Sequence, residues 1–260
     1  MKNVKCLIVL INCCFVFIAS AQNTIITNKN LTIEVNNELQ TKINSTFSEA
    51  NALMNNFSSS EYLETKYFTA KLFHQTKNEK KNIHDAAGDC TEYKVYGTDD
   101  ADKIEKILSI KTYNNFPDAA YFNVQYINNS EKDLPVIKWV NNEYNVVPTK
   151  DSTTFWTFQG SSHEDRRDWI KKIKKGFYEK NFMGMNASDY GGGIPVIDLW
   201  RKDAGIAIGN TETVAKLVSL PVDYDKYATA ATIGIEYEFP EKEILKPGDT
   251  LSTFETFVSV

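Results

Sequence analysis

Histidine is scarce in this chain of 260 residues, which contains only three. His74, His84 and His163 lie far apart, and no pair has the i, i+4 or other short spacing of metal ligands. An ordinary surface or core position is therefore the favoured interpretation of each histidine. The sequence predicts no metal site.

Cysteine is also rare, and three of the four cysteines fall in an N-terminal segment with the pattern of a secretory signal peptide. Lys2 and Lys5 provide its positive start, residues 6–18 its apolar stretch, and Ala19-Ser20-Ala21 its cleavage site. The predicted signal peptide covers residues 1–21 and indicates a secreted or periplasmic protein. The apolar stretch is shorter than the roughly 20 residues of a membrane span, so a retained anchor is the less favoured alternative.

Cleavage would leave Cys90 as the single cysteine, which excludes an internal disulfide and a thiolate metal cluster in the exported chain.

An excess of basic residues is missing too. The formal net charge is −5, and loss of Lys2 and Lys5 would make it more negative. Nucleic-acid-binding domains present a basic face, so no nucleic-acid partner is expected.

Motifs that would indicate a nucleophile or a nucleotide are also missing. The chain has no G-x-S-x-G elbow, and its triple glycine lacks both the Walker lysine and G-x-G-x-x-G spacing. No cofactor is expected.

What the sequence does contain is a long series of alternating apolar and polar residues, which is typical of β-strands. Tyr121, Asn123 and Gln125 fall on one face of such a strand, and the intervening Phe122, Val124 and Tyr126 on the other. Helical periodicity is scarce. The sequence predicts an all-β chain with the strand spacing of a β-sandwich. Candidate strands near the C-terminus are IPVIDLWR, AGIAIGN, AKLVSLPVDY, ATIGIEYEF and DTLSTFETFVSV.

One basic segment interrupts this pattern. HEDRRDWIKKIKKGFY, residues 163–178, has a brief helical periodicity that Gly176 ends. A charged surface loop between strands is the favoured interpretation, and a membrane-surface amphipathic helix is the alternative.

Aromatic and charged residues crowd into the stretch from 156 to 201. Aromatic rings can cover the apolar face of a sugar while carboxylates and guanidinium groups bond its hydroxyls. For Trp156 and Trp200 we favour a place in the sandwich core over a sugar contact. Asp189 and Asp198 are not favoured as a catalytic pair, because nothing in their spacing brings them together. The crowded residues are Trp156, Asp168, Trp169, Asp189, Tyr190, Asp198, Trp200 and Arg201.

The segment NASDYGGGIPVIDLW places Asp189 and Tyr190 directly before Gly191, Gly192 and Gly193. Ordering three glycines costs backbone entropy, so the conformation that they allow must be needed. A loop that approaches another surface and a plain structural turn are equally good explanations at this point.

Three segments resemble the N-terminal region of secreted α-galactosidase-like enzymes, relatives of the family-36 glycoside hydrolases in the melibiase clan. They are residues 116–139, 155–170 and 181–222, beginning FPDAAYFNVQY, FWTFQGSSHED and NFMGMNASDYGGG. The resemblance extends over residues 62–260. It implies a large β-supersandwich of the galactose-mutarotase type with few short helices. The implied division is an Asn- and Ser-rich N-terminal segment with a first strand or two at 22–60, and the supersandwich at 61–260.

In these enzymes the supersandwich precedes a (β/α)₈ barrel that carries both catalytic aspartates. The resemblance therefore implies that this chain stops before its barrel domain, contains no catalytic residue and is inactive alone. The parent enzyme would be a retaining, metal-free hydrolase of α-galactosides or related glycosides.

The resemblance also implies that a sandwich loop helps to form the sugar pocket. Asp189 and Tyr190, with Gly191, Gly192 and Gly193, match that loop best, and Asp168-Trp169 is a second candidate. The Gly-His-Gly-Asp-x-Arg run of better-known members is missing. Two other functions stay open: a free-standing carbohydrate-binding sandwich, and an exported interaction protein without a sugar ligand.

Overall fold

The chain is built entirely from β-strands in the residues that its structure, a computed structural model, describes: 23–46, 52–99, 101, 103–159, 170–183, 194–213 and 217–260. These ranges contain nineteen strands and no α-helix, so the predicted all-β class is confirmed. Within the same ranges no helix is long and apolar enough to cross a bilayer.

The strands have these bounds: β1 Thr24–Asn28, β2 Leu31–Val35, β3 Thr41–Ser45, β4 Tyr62–Thr65, β5 Thr69–Ala70, β6 His74–Asp85, β7 Gly88–Asp99, β8 Ile104–Tyr113, β9 Ala119–Asn128, β10 Leu134–Val146, β11 Phe155–Phe158, β12 Ile170–Ile173, β13 Phe177–Met183, β14 Val196–Trp200, β15 Gly205–Asn210, β16 Val218–Tyr224, β17 Ala231–Leu245, β18 Thr250–Ser252 and β19 Thr256–Ser259.

Two large antiparallel sheets form the sandwich. The ten-stranded sheet has the order β12-β11-β14-β15-β19-β9-β8-β7-β6, with β18 also paired to β9. The six-stranded sheet has the order β13-β16-β17-β10-β4-β5. A small third sheet, β1-β2-β3, covers part of the same core. Purely antiparallel pairing allows each sheet to bury one face and expose the other, which is the predicted β-supersandwich.

The core lies between the two large sheets and follows from side-chain alternation. In β9 the side chains of Phe122, Val124 and Tyr126 are fully buried, as the sequence predicts. From the six-stranded sheet, Trp139 packs edge-on against Phe254, with ring centroids 5.4 Å apart. Aromatic contacts of this kind add stabilisation beyond the area that they bury.

Neighbouring strands in the chain often belong to different sheets. β9 lies in the ten-stranded sheet and β10 in the six-stranded one, so the polar turn that the sequence predicts at 128–133 crosses between layers. Asn128 anchors this turn because its amide donates to the carbonyls of Lys132 at 2.8 Å and Leu245 at 2.9 Å.

The basic segment is not helical where it is described. Residues 170–173 form β12 and residues 177–183 form β13, so neither the favoured loop nor the amphipathic helix is correct there. Gly176 turns the chain between the two strands with a φ of 91°, a value that L-residues rarely adopt. Residues 163–169 lie outside the described residues.

Candidate functional site

Two segments singled out by the sequence attach to the same end of the ten-stranded sheet. β11 ends at Phe158, which pairs with Ile170 at the start of β12. β14 begins at Val196 and runs antiparallel to β11, since Trp156 pairs with Trp200. The chain therefore leaves β11 for residues 160–169 at the end where it enters β14 from residues 184–193.

The predicted sugar-contacting residues themselves lie outside the described residues. This applies to all of Asp168, Trp169, Asp189, Tyr190, Gly191, Gly192 and Gly193. What the structure provides is the strand ends that carry them. Asn181 of β13 joins the two sides of the second segment, because its amide donates to the carbonyls of Ile194 at 3.2 Å and Val196 at 3.4 Å.

Asp198 is the middle residue of β14, and its hydrogen bonds join β14 to β11. Its Oδ1 accepts a hydrogen bond from the Phe158 backbone N–H at 2.6 Å, and its carbonyl accepts one from the Thr157 hydroxyl at 2.6 Å. Burial raises the pKa of the Asp198 carboxyl to about 6, against the opposing effect of the Phe158 hydrogen bond. Asp198 therefore links two neighbouring strands, and its carboxyl binds a proton more tightly than an exposed aspartate does.

Trp156 and Trp200 are not in the core, contrary to the favoured prediction. They are cross-strand partners, and both are half-buried. Strand alternation places them on the outer face with Asp198, because Phe155, Ile197 and Leu199 already occupy the inner face. Two aromatic rings and a carboxylate thus share one outer surface, as the sugar-contact alternative requires.

Arg201, which the sequence placed in the same constellation, has a structural position. It is almost completely buried at 1% exposure. Its Nη2 donates to the Ala52 carbonyl at 3.1 Å, its Nη1 to the Val147 carbonyl, and its Nε to Asp203 at 2.9 Å. These hydrogen bonds tie the end of β14 to two distant parts of the chain. Because all three guanidinium nitrogens donate within the protein, the group is not positioned to bind a ligand.

Comparison with known proteins shows which solved structures have a similar architecture. No protein-family profile matches the chain, and no curated protein matches it in sequence. Among solved structures it is similar to the GH36 α-galactosidase AgaA of Geobacillus stearothermophilus, with a TM-score of 0.61 and 11% identity. The fold is a GH36-like β-supersandwich.

The match to this enzyme covers 92% of the present chain and 40% of AgaA. The α-galactosidase of Lactobacillus brevis gives a TM-score of 0.62 at 11% identity, with 91% and 39% covered. The galactosidase domain of AgaSK gives 0.64 at 14%, with 90% and 40% covered. The chain thus spans about two fifths of these proteins.

A second class of protein has the same architecture over most of its own length. A putative aldose 1-epimerase from Klebsiella pneumoniae matches with a TM-score of 0.53 and 10% identity, covering 88% of this chain and 76% of the epimerase. At such identities the likeness concerns the fold.

In the part of the chain that the structure describes, no three His, Cys, Asp or Glu side chains lie close enough together to hold a metal ion. The exposed His84 pairs with Asp89 at 2.7 Å between Nδ1 and Oδ1. Cys90 is buried, and that burial raises the pKa of its thiol. A protonated, buried thiol is a poor nucleophile.

Sequence reasoning missed a charged pair in the interior. Glu61 and Lys106 are 0% and 1% exposed, and Lys106 Nζ lies 3.6 Å from Glu61 Oε2. Burial raises the pKa of Glu61 and lowers the pKa of Lys106, while their mutual attraction acts against both shifts. The available signal was Lys106 itself, a cation at a position that strand alternation assigns to the inner face of β8.

Proposed function

We propose that this chain is the exported sandwich domain of an α-galactosidase-like glycoside hydrolase, whose catalytic aspartates belong to a barrel beyond Val260. The observation that carries the proposal is the GH36-like fold over 92% of this chain, matched to only 40% of the α-galactosidase AgaA. A glycosidase needs two carboxyl groups on either side of the scissile bond, and on this proposal the barrel supplies them. The substrates are α-galactosides or related α-glycosides.

In this proposal the segment at 184–193 is a loop of the sugar pocket. Its attachment beside residues 160–169, at one end of the ten-stranded sheet, supports a joint role for the two segments. Asp189 would accept hydrogen bonds from sugar hydroxyls, Tyr190 would cover an apolar edge, and the glycines would allow close approach to the barrel. Asp168 and Trp169 would contribute from the neighbouring segment.

The test uses the product of the complete reading frame, assayed with p-nitrophenyl α-galactoside and with raffinose. We expect hydrolysis by the complete product and none by residues 22–260 alone. Asp189→Ala should lower kcat/KM by about 10–100-fold, the value of one hydrogen bond to a charged group. Its melting temperature should stay within about 2 °C of the parent protein.

The exposed Asp151 provides a matched control, since Asp151→Ala removes a carboxylate that precedes β11, at the end of that strand opposite to Phe158. Its kinetics should equal those of the parent. A complete product without glycosidase activity would overturn the proposal. Lost stability with unchanged kinetics in Asp189→Ala would assign the segment to a structural turn instead.

A free-standing sugar-binding sandwich is the second candidate. The half-buried Trp156 and Trp200 on the outer face beside Asp198 favour it. A complete product that binds galactosides at these tryptophans and hydrolyses none would support this candidate over the first.

A further inference from the structure

A second polar and aromatic surface lies on the outer face of the same sheet, where β7, β8 and β9 run side by side. Strand register aligns Glu92 with Lys111 and Lys111 with Tyr121. The next outward positions of β9 are Asn123 and Gln125. These five residues, together with Lys94, Ser109 and Glu255, line a groove of about 190 Å³, which we call the outer groove.

Tyr121, which lines the outer groove, belongs to an aromatic cluster. The Tyr121 ring packs edge-on against Tyr113 at 5.2 Å and against Phe116 at 6.2 Å, and lies 6.4 Å from Phe257. Tyr113 is held in turn by a 2.7 Å hydrogen bond from its hydroxyl to Asp85. Tyr121 is thus a rigid, half-buried ring, and little entropy is lost when a ligand packs against it.

The polar groups of the groove keep much of their bonding capacity. Lys111 Nζ lies 3.8 Å from Asp85 and 4.0 Å from Glu255, both longer than a hydrogen bond. Among the residues that the structure describes, the Gln125 amide and the Tyr121 hydroxyl have no hydrogen-bond partner. Asn123 is oriented by a 2.8 Å bond from its amide to the Thr253 carbonyl.

The charge, size and hydrogen-bonding groups of the outer groove indicate which kind of ligand it can bind. Two acids and two lysines line the groove, so its field favours neither an anion nor a cation strongly. Its volume is below the roughly 300–1,000 Å³ of sites for drug-sized molecules. A small uncharged molecule with one apolar face and several hydroxyls meets these conditions, because each hydroxyl both donates and accepts.

We propose that the outer groove binds one neutral pyranose unit, with its apolar face on Tyr121 and its hydroxyls on Gln125, Lys111 and Glu92. The groove is separate from the strand end that carries Trp200. β15 and β19 lie between β14 and β9, which puts the two places about 14 Å apart at ordinary strand spacing. The proposal goes beyond hydrolysis and holds with or without a barrel.

The test is a backbone-amide NMR titration of the purified chain with D-galactose, D-glucose and methyl α-D-galactopyranoside. We expect shifts in β7, β8 and β9 with dissociation constants of about 1–10 mM, typical of a few hydrogen bonds and one ring contact. Gln125→Ala combined with Lys111→Met should weaken binding at least about tenfold. Tyr121→Phe, which keeps the ring, should weaken it only about two- to threefold.

The matched control for Tyr121→Phe is Tyr178→Phe, because Tyr178 is exposed on the six-stranded sheet. It should bind like the parent chain, and all variants should retain the parent spectrum outside the groove. No shifts with any of the three sugars at about 50 mM would overturn the proposal, as would shifts confined to Trp156 and Trp200 or equal affinity in the double variant. None of these outcomes bears on hydrolysis by the complete product.

Discussion

At the scale of single residues, the interior of this sandwich is held by a charged pair as well as by apolar contacts. Lys106 donates to the backbone carbonyls of Glu61 at 2.8 Å and Leu39 at 3.4 Å, and its Nζ lies 5.3 Å from the centroid of the Phe73 ring. These contacts tie β8 of the ten-stranded sheet to the segments before β4 and after β2. Buried charges are tolerated only when paired in this way.

Removal of one partner is expected to be costly. Lys106→Met leaves the Glu61 carboxylate buried without its cation, and the free energy of unfolding should fall by about 3–5 kcal/mol in urea titrations. Glu61→Gln combined with Lys106→Met should recover part of that loss, because no charge is then left unpaired.

The exposed pair Lys77 and Glu79 offers a control, with side chains 56% and 52% exposed. Lys77→Met should change stability by no more than about 1 kcal/mol. An unchanged urea midpoint in Lys106→Met would show that the interior pair contributes nothing to stability.

Asp198 makes the stability of the chain depend on pH. Its folded-state pKa of about 6 lies above the ordinary value of 3.8, so the folded state binds the proton more tightly than the unfolded state does. The stabilising contribution is complete below the ordinary value and is lost as the pH rises through about 6. Asp198→Asn keeps an oxygen for the Phe158 N–H and lacks the titration.

Urea unfolding of both proteins at pH 4, 5, 6 and 7 measures this effect. The stability of Asp198→Asn relative to the parent should increase with pH over this range. Parallel pH profiles would mean that burial does not raise the pKa of this carboxyl.

At the scale of elements, β15 fits between its neighbours because the residues on its outer face are small. A Cβ added at Gly209 would lie 2.2 Å from the Pro195 carbonyl oxygen and 2.7 Å from the Phe257 ring. The Pro195 carbonyl accepts a hydrogen bond from the Asn210 N–H, and the Phe257 ring packs against Tyr121, so neither group can move away easily. Glycine at this position therefore permits the close approach of β15 to its surroundings.

Gly209→Ala should lower the free energy of unfolding by about 1–3 kcal/mol, the usual cost of overpacking. Gly234→Ala in β17 is the control, since its Cβ would meet nothing closer than 3.6 Å. Thermal or urea unfolding of the two variants tests the contrast, and equal stability would contradict it.

The elements also show what strand alternation can and cannot predict. It assigned the faces of β9 correctly and located each of the five C-terminal strand regions. The wrong prediction for Trp156 and Trp200 came from residue type, because large aromatic residues are usually buried, whereas strand alternation puts both residues outside. Strand alternation missed the outer groove, since Lys111 and Tyr121 meet only through the register of β8 with β9.

At the scale of the whole molecule, stability should be uneven along the ten-stranded sheet. β9 pairs with β8 on one side and with β18 and β19 on the other, and its inner face is fully buried. β6 is at one edge of this sheet, and most of its residues are exposed. Its many lysines are a common protection of an edge against pairing with another chain.

Native-state hydrogen exchange should reflect this difference. Amides of β9 should exchange only through global unfolding, and those of β6 at least about 100-fold faster through local opening. The β7 amides that bond to β8 serve as an internal control with intermediate protection. Uniform protection from β6 to β9 would contradict the expected gradient.

The sequence by itself determined which side chains point inward in regular strands such as β9, because the backbone pleat alternates them locally. With a single cysteine beyond residue 14 and three scattered histidines, it also predicted neither a disulfide framework nor a histidine cluster. Only the tertiary structure decided which sheet each strand joins and which distant residues become neighbours, as with Trp139 and Phe254 or Glu61 and Lys106. Those choices depend on burying apolar area and pairing backbone groups across the whole chain, and local patterns carry no information about partners so far apart.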